Sequence, residues 1–148
     1  MKTVYLALGS NLGDRLGHLR FALQKLEQNG VVIEAKSKIY AAQSVEGGGE
    51  GDFFNAAIRA RTDLCAPQLR EICENIEAEA GRAAPPRRGG HRSGARCLDI
   101  DILLFGDETF ATPELEIPHP RALRRNFVLR PLLDVLQGGW IRESEETL

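Results

Sequence analysis

Two aspartates, Asp99 and Asp101, interrupt an otherwise apolar run over residues 97–105. Side chains alternate along a β-strand, so a strand here would place both carboxylates on one face, with their Cα atoms about 6.5–7 Å apart. The opposite face, which would enter the core, then carries Leu98, Ile100, Ile102 and Leu104. Burying carboxylates in such a strand costs desolvation free energy unless a partner neutralises their charge. Mg²⁺ favours carboxylate oxygens and keeps water and phosphate ligands. The pair therefore predicts a magnesium site, with two solvated acids on an exposed strand face as the alternative.

Arginines are concentrated in two short segments of a chain whose net charge is −2. Neither segment contains an acid, and together they hold nine of the 19 Lys and Arg residues: Arg82, Arg87, Arg88, Arg92 and Arg96, then Arg121, Arg124, Arg125 and Arg130. Guanidinium groups match the geometry of phosphate oxygens. The two segments indicate either an anion site or two solvated surface loops. Beside a pair of acids they favour phosphoryl transfer.

Four further residues have both a structural and a functional interpretation. His119 lies between two prolines and is either a turn residue or a donor to a phosphate oxygen. Asn55 lies among apolar residues, either satisfied by the backbone or reading the edge of a heterocycle. Phe53 and Phe127 belong to the core or form platforms for a ligand. The chain lacks a P-loop motif and a Gly-rich dinucleotide-binding motif, and its glycine run at residues 47–51 has no Lys or Ser for phosphate.

Composition limits the class of protein. With 148 residues, 43% of them hydrophobic, the chain is expected to form a single domain over residues 1–148. The net charge argues against nucleic-acid or membrane binding. The odd set Cys65, Cys73 and Cys97, without a C-x-x-C, favours reduced thiols and a cytoplasmic protein. Neither a signal peptide nor a transmembrane helix is expected.

Hydrophobic periodicity predicts the elements that must position these residues. We expect strands at residues 4–8, 31–40, 53–61 and 97–105, with a helix over residues 16–26 and another from Pro67 to a stop at Gly81. Residues 82–95 should form a long loop, followed by a short helix at 121–126 and helical structure at 132–136. The βαββαβ order predicts an α+β, ferredoxin-like sandwich with a largely antiparallel sheet.

Several motifs in one order give the chain a family resemblance. They are Leu8-Gly9-Ser10-Asn11-Leu12-Gly13-Asp14, Asp52-Phe53-Phe54-Asn55-Ala56-Ala57, Ile76-Glu77 with Gly81-Arg82, Arg96-Cys97-Leu98-Asp99-Ile100-Asp101, and Ile117-Pro118-His119-Pro120-Arg121 with Phe127-Val128-Leu129. In these motifs the chain resembles the hydroxymethyl-dihydropterin pyrophosphokinase (HPPK) family of folate biosynthesis. The resemblance spans residues 4–136.

The resemblance implies a reaction and a set of site residues. The reaction is transfer of pyrophosphate from ATP to the hydroxymethyl group of 6-hydroxymethyl-7,8-dihydropterin, with release of AMP. Two Mg²⁺ ions would be held by Asp99 and Asp101. The pterin would contact Val45, Phe53, Asn55 and Phe127, and ATP would contact Glu77, Arg82, Arg96, Ile102, His119 and Arg125. Catalytic arginines would be Arg82, Arg92 and Arg96, and the enzyme would be a monomer or weak dimer.

Departures from the family pattern fall in two segments. Ala42-Gln43-Ser44 replaces a usual T-x-P, and Ala84 stands where a second arginine is usual. Ser93-Gly94-Ala95 replaces a tryptophan-containing run, and the segment is about four residues longer. We expect Arg92, assisted by Arg87 or Arg88, to supply the missing guanidinium. The alternatives are a slow or inactive member that only binds pterin or nucleotide, and a small RNA-binding module.

Overall fold

A computed structural model of the protein describes residues 1–42, 53–82 and 97–136, without the side chains of Ala42 and Arg82. The predicted loop at 82–95 and the glycine run therefore lie outside the described residues, apart from the backbone of Arg82. The elements, in chain order, are β1 (Lys2–Ser10), α1 (Arg15–Gln28), β2 (Val31–Lys36), β3 (Tyr40–Ala42), β4 (Phe53–Thr62), α2 (Ala66–Arg82), β5 (Asp99–Phe105), β6 (Phe110–Thr112), β7 (Leu115–Ile117), a 3₁₀ turn (Ala122–Arg124) and α3 (Asn126–Val135).

The main sheet has the strand order β2-β4-β1-β5, and β3 also pairs with β4. Every described pairing in it is antiparallel. Helices α1 and α2 pack on one face over a core that includes Leu6, Leu8 and Leu69. The 3₁₀ turn and α3 cover part of the other face, over a smaller core that includes Leu103 and Val135. The predicted α+β architecture with an antiparallel sheet is confirmed.

Helix α1 begins and ends where local chemistry dictates. The Asp14 carboxylate accepts the Gly17 N–H at 3.0 Å, which caps the first turn. A Cβ at Gly17 would lie 2.2 Å from the Asp14 carboxylate, so a larger residue there would displace the capping side chain. At the other end, the Asn29 N–H bonds to the Leu26 carbonyl, and Gly30 follows with φ +88°. The helix therefore returns the chain directly to β2.

The single strand predicted at residues 31–40 is wrong, because the structure divides it into β2 and β3. Lys36 pairs with Ile58 and Tyr40 with Asn55, so three intervening residues oppose only two on β4. The Ser37 hydroxyl accepts the Ala57 N–H at 2.8 Å, and that side-chain bond replaces a ladder bond at the bulge. The bulge sets the register of Tyr40 opposite Asn55.

The predicted face of Leu104 on β5 is wrong, because a second bulge interrupts the pairing of this strand. Leu98, Ile100 and Ile102 enter the larger core as predicted. The pairing with β1 shifts after Ile102, however, and Leu104 packs against the smaller core on the other face. A register shift of one residue moves every following side chain across the sheet, so strict alternation cannot anticipate it.

Other boundaries also differ from the sequence-based expectations. Hydrophobic periodicity predicts no element between residues 105 and 121, where the chain contains Pro113, Pro118 and Pro120, but β6 and β7 form a hairpin there. Helix α3 begins at Asn126 and tolerates Pro131 in its interior, while the preceding turn is only a 3₁₀ turn. Helix α2 continues through Gly81 to Arg82, so Gly81 is not its stop.

Candidate active site

Gly9 on β1 pairs with Asn55 of β4 on one side and with Asp99 of β5 on the other. Directly paired residues project from the same face of an antiparallel sheet. Asn55 and Asp99 therefore lie in one row across the sheet, separated by two strand spacings of about 4.8 Å each. Asp101 lies one row further, opposite Ala7. The row places the candidate heterocycle reader and the candidate metal ligands on the face that α3 partly covers.

An open pocket of about 450 Å³ lies beside β5. It brings together five residues expected from the sequence to act on nucleotide or metal: Glu77, Asp99, Asp101, Ile102 and His119. Asn55, Phe53, Phe127 and Arg125 are not among its lining residues. The described residues thus bring these five candidates together in one cavity, whereas the nucleotide candidate Arg125 and the pterin candidates Asn55, Phe53 and Phe127 lie outside its walls.

Glu77 joins helix α2 to the backbone between the two aspartates. Its carboxylate accepts the Ile100 N–H at 2.7 Å. Burial raises the pKa of Glu77 to about 7, with the neighbouring Asp99 and Asp101 carboxylates adding to the rise and the Ile100 bond opposing it. The Glu77, Asp99 and Asp101 carboxyl groups therefore lie near one another at one end of the pocket.

His119 is held in a defined orientation beside Asp101. Its backbone N–H bonds to the Leu103 carbonyl at 3.2 Å, and its ring Nδ1 accepts the Ala122 N–H at 3.1 Å. In the neutral ring, the proton must then reside on Nε2. That nitrogen lies 3.7 Å from the Asp101 carboxylate. His119 can therefore donate from Nε2 to an oxygen entering the pocket.

Ile102 contributes to the pocket differently from the charged residues. Its side chain is buried in the larger core, 5% exposed. The N–H of Ile100 points away from β1 toward Glu77, and alternate residues present their backbone groups to the same side of a strand. Backbone rather than side-chain atoms of Ile102 are therefore the groups available to a nucleotide.

Asn55 has an unusual environment for a buried amide. It is 7% exposed, and its Nδ2 has no hydrogen-bond partner among the described residues. A Cβ at Gly9 would lie 3.2 Å from its Oδ1, so the glycine makes room for this side chain. A buried donor without a partner costs about 1–3 kcal/mol. Asn55 is therefore suited to a ligand that accepts a hydrogen bond.

The two candidate pterin aromatics lie on different elements. Phe53 begins β4 and is half-buried, whereas Phe127 lies in the first turn of α3 and is 38% exposed. The Arg125 guanidinium lies 5.5 Å from the centre of the Phe127 ring. The exposed part of the Phe127 ring is available for stacking.

Several expected site residues lie outside this description. Val45, Arg92 and Arg96 are not among the described residues, and of Arg82 only the backbone, at the end of α2, is described. The structure in turn adds Arg70 and Arg121 to the pocket lining. Arg121 was in the second arginine segment, while Arg70 carried no signal because a lone arginine on a helix is ordinary.

The donor set suits Mg²⁺, because Asp99 and Asp101 supply hard carboxylate oxygens at one end of a pocket. Within residues 1–42, 53–82 and 97–136, no cluster of three or more His, Cys, Asp or Glu side chains is arranged to hold a metal ion.

The same part of the chain contains no helix that is long and apolar enough to cross a membrane.

Comparison with known proteins identifies relatives over most of the chain. The family model described as 7,8-dihydro-6-hydroxymethylpterin-pyrophosphokinase (HPPK) matches residues 5–137. Two curated relatives are named 2-amino-4-hydroxy-6-hydroxymethyldihydropteridine pyrophosphokinase. The one from Bacillus subtilis is 41% identical over 90% of this chain and 77% of its own, and the one from Aquifex aeolicus is 38% identical over 91% and 81%.

Solved structures with the same fold are more distant in sequence. A structure described as HPPK-DHPS in complex with substrates matches 99% of this chain with a TM-score of 0.67 at 13% identity. Plasmodium falciparum HPPK-DHPS matches with a TM-score of 0.66 at 15% identity. This chain spans 44% and 42% of those chains, respectively, so the likeness concerns the fold alone. From the family model and the bacterial relatives together, the chain belongs to the HPPK family.

Proposed function

We propose that this protein transfers pyrophosphate from ATP to 6-hydroxymethyl-7,8-dihydropterin in folate synthesis. The hydroxymethyl oxygen would bond to Pβ of ATP while the bond from Pβ to the oxygen bridging Pα breaks. AMP leaves with that oxygen, and the hydroxyl proton is released. The observation that carries the proposal is the identity of 38–41% to relatives named for this activity. The row that joins Asn55 to Asp99 supports it, because the residue proposed to read the heterocycle lies two strands from a residue proposed to hold the metal.

On the pterin side, Asn55 would hydrogen-bond the heterocycle. Its buried, unpartnered Nδ2 gains an acceptor when the ligand binds, and the amide can read a donor–acceptor edge. Phe53 and Phe127 would stack on the two faces of the ring, with Val45 as a further contact. This arrangement fixes the hydroxymethyl group near the row of Asp99 and so replaces a bimolecular encounter by a positioned one.

On the nucleotide side, Asp99 and Asp101 would hold Mg²⁺ with the triphosphate. When bound, the metal would offset the negative charge of the phosphates and orient the triphosphate for in-line displacement. His119 would donate from Nε2 to a phosphate oxygen, and Arg125 would approach from the start of α3. Glu77 and the Ile102 backbone would contact the nucleoside. Each residue thus positions a substrate or neutralises phosphate charge, and these are the main contributions that proteins make to phosphoryl transfer.

Arg82, Arg92 and Arg96 would complete the phosphate site. The arginine segment between α2 and β5 is bounded by elements that reach the pocket through Glu77 and Asp99. Guanidinium groups delivered there would stabilise charge in the transition state. Arg92 would take the place of the family arginine that Ala84 lacks.

Incubation with ATP, Mg²⁺ and 6-hydroxymethyl-7,8-dihydropterin tests the proposal, with nucleotides separated by chromatography. We expect one AMP for each pterin consumed, and no AMP when EDTA removes the metal. Formation of ADP would indicate an ordinary kinase. Binding of both substrates without any product would identify a binding-only member of the family. The cytoplasmic location, the monomeric or weakly dimeric state and the single-domain organisation stay predictions.

A further inference from the structure

Helix α3 is tied to the sheet at its carboxyl end by one carboxylate oxygen. Oδ2 of Asp134 accepts the Tyr40 hydroxyl at 2.8 Å and the Lys38 N–H at 3.2 Å. One donor belongs to the first residue of β3, and the other lies two residues before it. A partly buried charged acceptor with two donors is among the stronger hydrogen-bonded arrangements. The contact spans 94 positions of sequence, so it joins two elements that local structure cannot relate.

Tyr40 is also the direct neighbour of Asn55. The two residues face each other across the β3–β4 pair, which places them on the same side of the sheet. Tyr40 therefore extends the row of Asp99, Gly9 and Asn55 by one strand. Its hydroxyl reaches from that row to α3.

The other end of α3 carries the exposed aromatic of the proposed pterin site. Phe127 and Asp134 are seven residues apart, so they project from the same side of the helix, about 10.5 Å apart along its axis. Arg130 lies between them on that side, with its guanidinium 6.0 Å from the centre of the Tyr40 ring. Arg59 on β4 adds a second tie by donating to the Val135 carbonyl at 3.0 Å.

We propose that Tyr40 and Asp134 are positioning residues that set the distance between Phe127 and Asn55, and so the width of the pterin slot. The inference rests on the proposed function, since it assigns a role within the same site. A helix held only by apolar packing can slide or tilt on a sheet, because such contacts are non-directional. The Tyr40–Asp134 hydrogen bond is directional, and it fixes the carboxyl end of α3 to the residue that pairs with Asn55.

Three substitutions isolate the pair. Tyr40→Phe removes only the hydroxyl, and Asp134→Ala removes the acceptor. Asp134→Asn keeps an acceptor oxygen for Tyr40. Leu133→Ala serves as the matched control, because Leu133 is on the same helix and 64% exposed. Leu26→Val, in the core on the opposite face, controls for loss of stability alone.

Affinities for the pterin, measured with a non-hydrolysable ATP analogue present, and for the analogue alone are the readouts. We expect Tyr40→Phe and Asp134→Ala each to weaken pterin binding about 5- to 20-fold. The double variant should bind pterin no more weakly than the single variant with the lower pterin affinity. Analogue affinity should change less than twofold, and KM for pterin should rise more than kcat falls. Asp134→Asn should retain most of the affinity, and both controls should bind pterin like the wild type.

Three outcomes would overturn the proposal, and a fourth would reject the proposed function as well. If Tyr40→Phe and Asp134→Ala bind pterin within twofold of the wild type, the pair does not set the slot. If they lose pterin and analogue affinity equally, or if Leu26→Val loses as much pterin affinity at a similar melting temperature, the pair is only structural. Failure of the wild type to bind pterin at all would instead reject the proposed function, and the positioning role with it.

Discussion

The Glu77 carboxylate accepts a hydrogen bond from the backbone N–H of Ile100, the residue between Asp99 and Asp101, at 2.7 Å. The bond anchors α2 to the strand that carries both acids. It also brings a third carboxyl group to that end of the pocket. Burial raises the pKa of Glu77 to about 7, and the neighbouring Asp99 and Asp101 carboxylates add to the rise.

Glu77 should make the unliganded protein less stable as pH rises. Its pKa is raised to about 7 from 4.5, so the folded state holds a proton that the unfolded chain has already lost. The contribution to the free energy of unfolding is full below about pH 4.5 and is lost as pH rises through about 7. Glu77→Gln should therefore stabilise the protein relative to wild type at pH 8, by about 1–2 kcal/mol, but hardly at pH 5.

Denaturant unfolding at both pH values measures the effect, with EDTA present. Glu71→Gln, at an exposed position of the same helix, is the control. An equal change for Glu77→Gln at pH 5 and pH 8 would contradict the assignment of the raised pKa.

Asp99→Asn and Asp101→Asn should each lower turnover by orders of magnitude. The amides keep the size of the side chains but supply poor ligands for Mg²⁺. Because each change removes a charge near Glu77, the melting temperature without ligand should stay the same or rise. Steady-state rates over a Mg²⁺ titration and thermal unfolding separate the two effects. Turnover at the wild-type rate in the double variant would end the metal assignment.

Asn55→Ala should weaken pterin binding by about 1–3 kcal/mol, or about 5- to 150-fold, while ATP affinity hardly changes. The free protein should lose little stability, because the buried Nδ2 has no partner among the described residues to lose. Gly9→Ala should act in the same direction, since its Cβ would press on the Asn55 Oδ1 from 3.2 Å. Calorimetric titrations with each ligand test both variants, and equal losses for pterin and ATP would make Asn55 structural.

His119→Asn should separate catalysis from stability. The asparagine oxygen can replace Nδ1 as the acceptor for the Ala122 N–H, but nothing replaces Nε2 beside Asp101. We expect kcat/KM for ATP to fall about 10- to 100-fold with the melting temperature little changed. His18→Asn, on α1, is the comparison variant. Wild-type kcat/KM in His119→Asn would remove His119 from the site.

Arg92→Ala should slow the chemical step more than it weakens ATP binding. A guanidinium that is engaged mainly in the transition state contributes little to ground-state affinity. Single-turnover rates and nucleotide titrations on Arg87→Ala, Arg88→Ala and Arg92→Ala identify the arginine that acts. If all three variants react at the wild-type rate, none of them replaces the arginine that is missing at Ala84.

Much of the fold follows from periodicity, and the misses have a physical pattern. The shared face of Asp99 and Asp101 follows from strand alternation, which holds wherever the ladder is regular. The split at Ser37 and the reversed face of Leu104 depend on bulges, which arise from cross-strand pairing and leave no local pattern. The hairpin of β6 and β7 was missed because Pro113 lies in its turn rather than in a strand.

The site could be predicted by residue type but not by arrangement. The sequence pattern and the resemblance together singled out Asn55 and Asp99, while their common neighbour Gly9 emerges only from the register of three strands. The Tyr40–Asp134 contact joins residues 94 positions apart, and neither residue type is unusual in its own segment. Pairing between distant segments is tertiary information, so local sequence patterns identify candidate site residues but not the distances between them.

The fate of the β-phosphate of ATP tests the central claim most directly. With Mg²⁺ and the pterin substrate, ATP labelled at Pβ and, in a parallel reaction, at Pγ is converted and the products are separated. The account predicts that both labels appear in the pterin product, with unlabelled AMP released in equal amount. Recovery of the Pβ label in ADP, with only the Pγ label on the pterin, would contradict it.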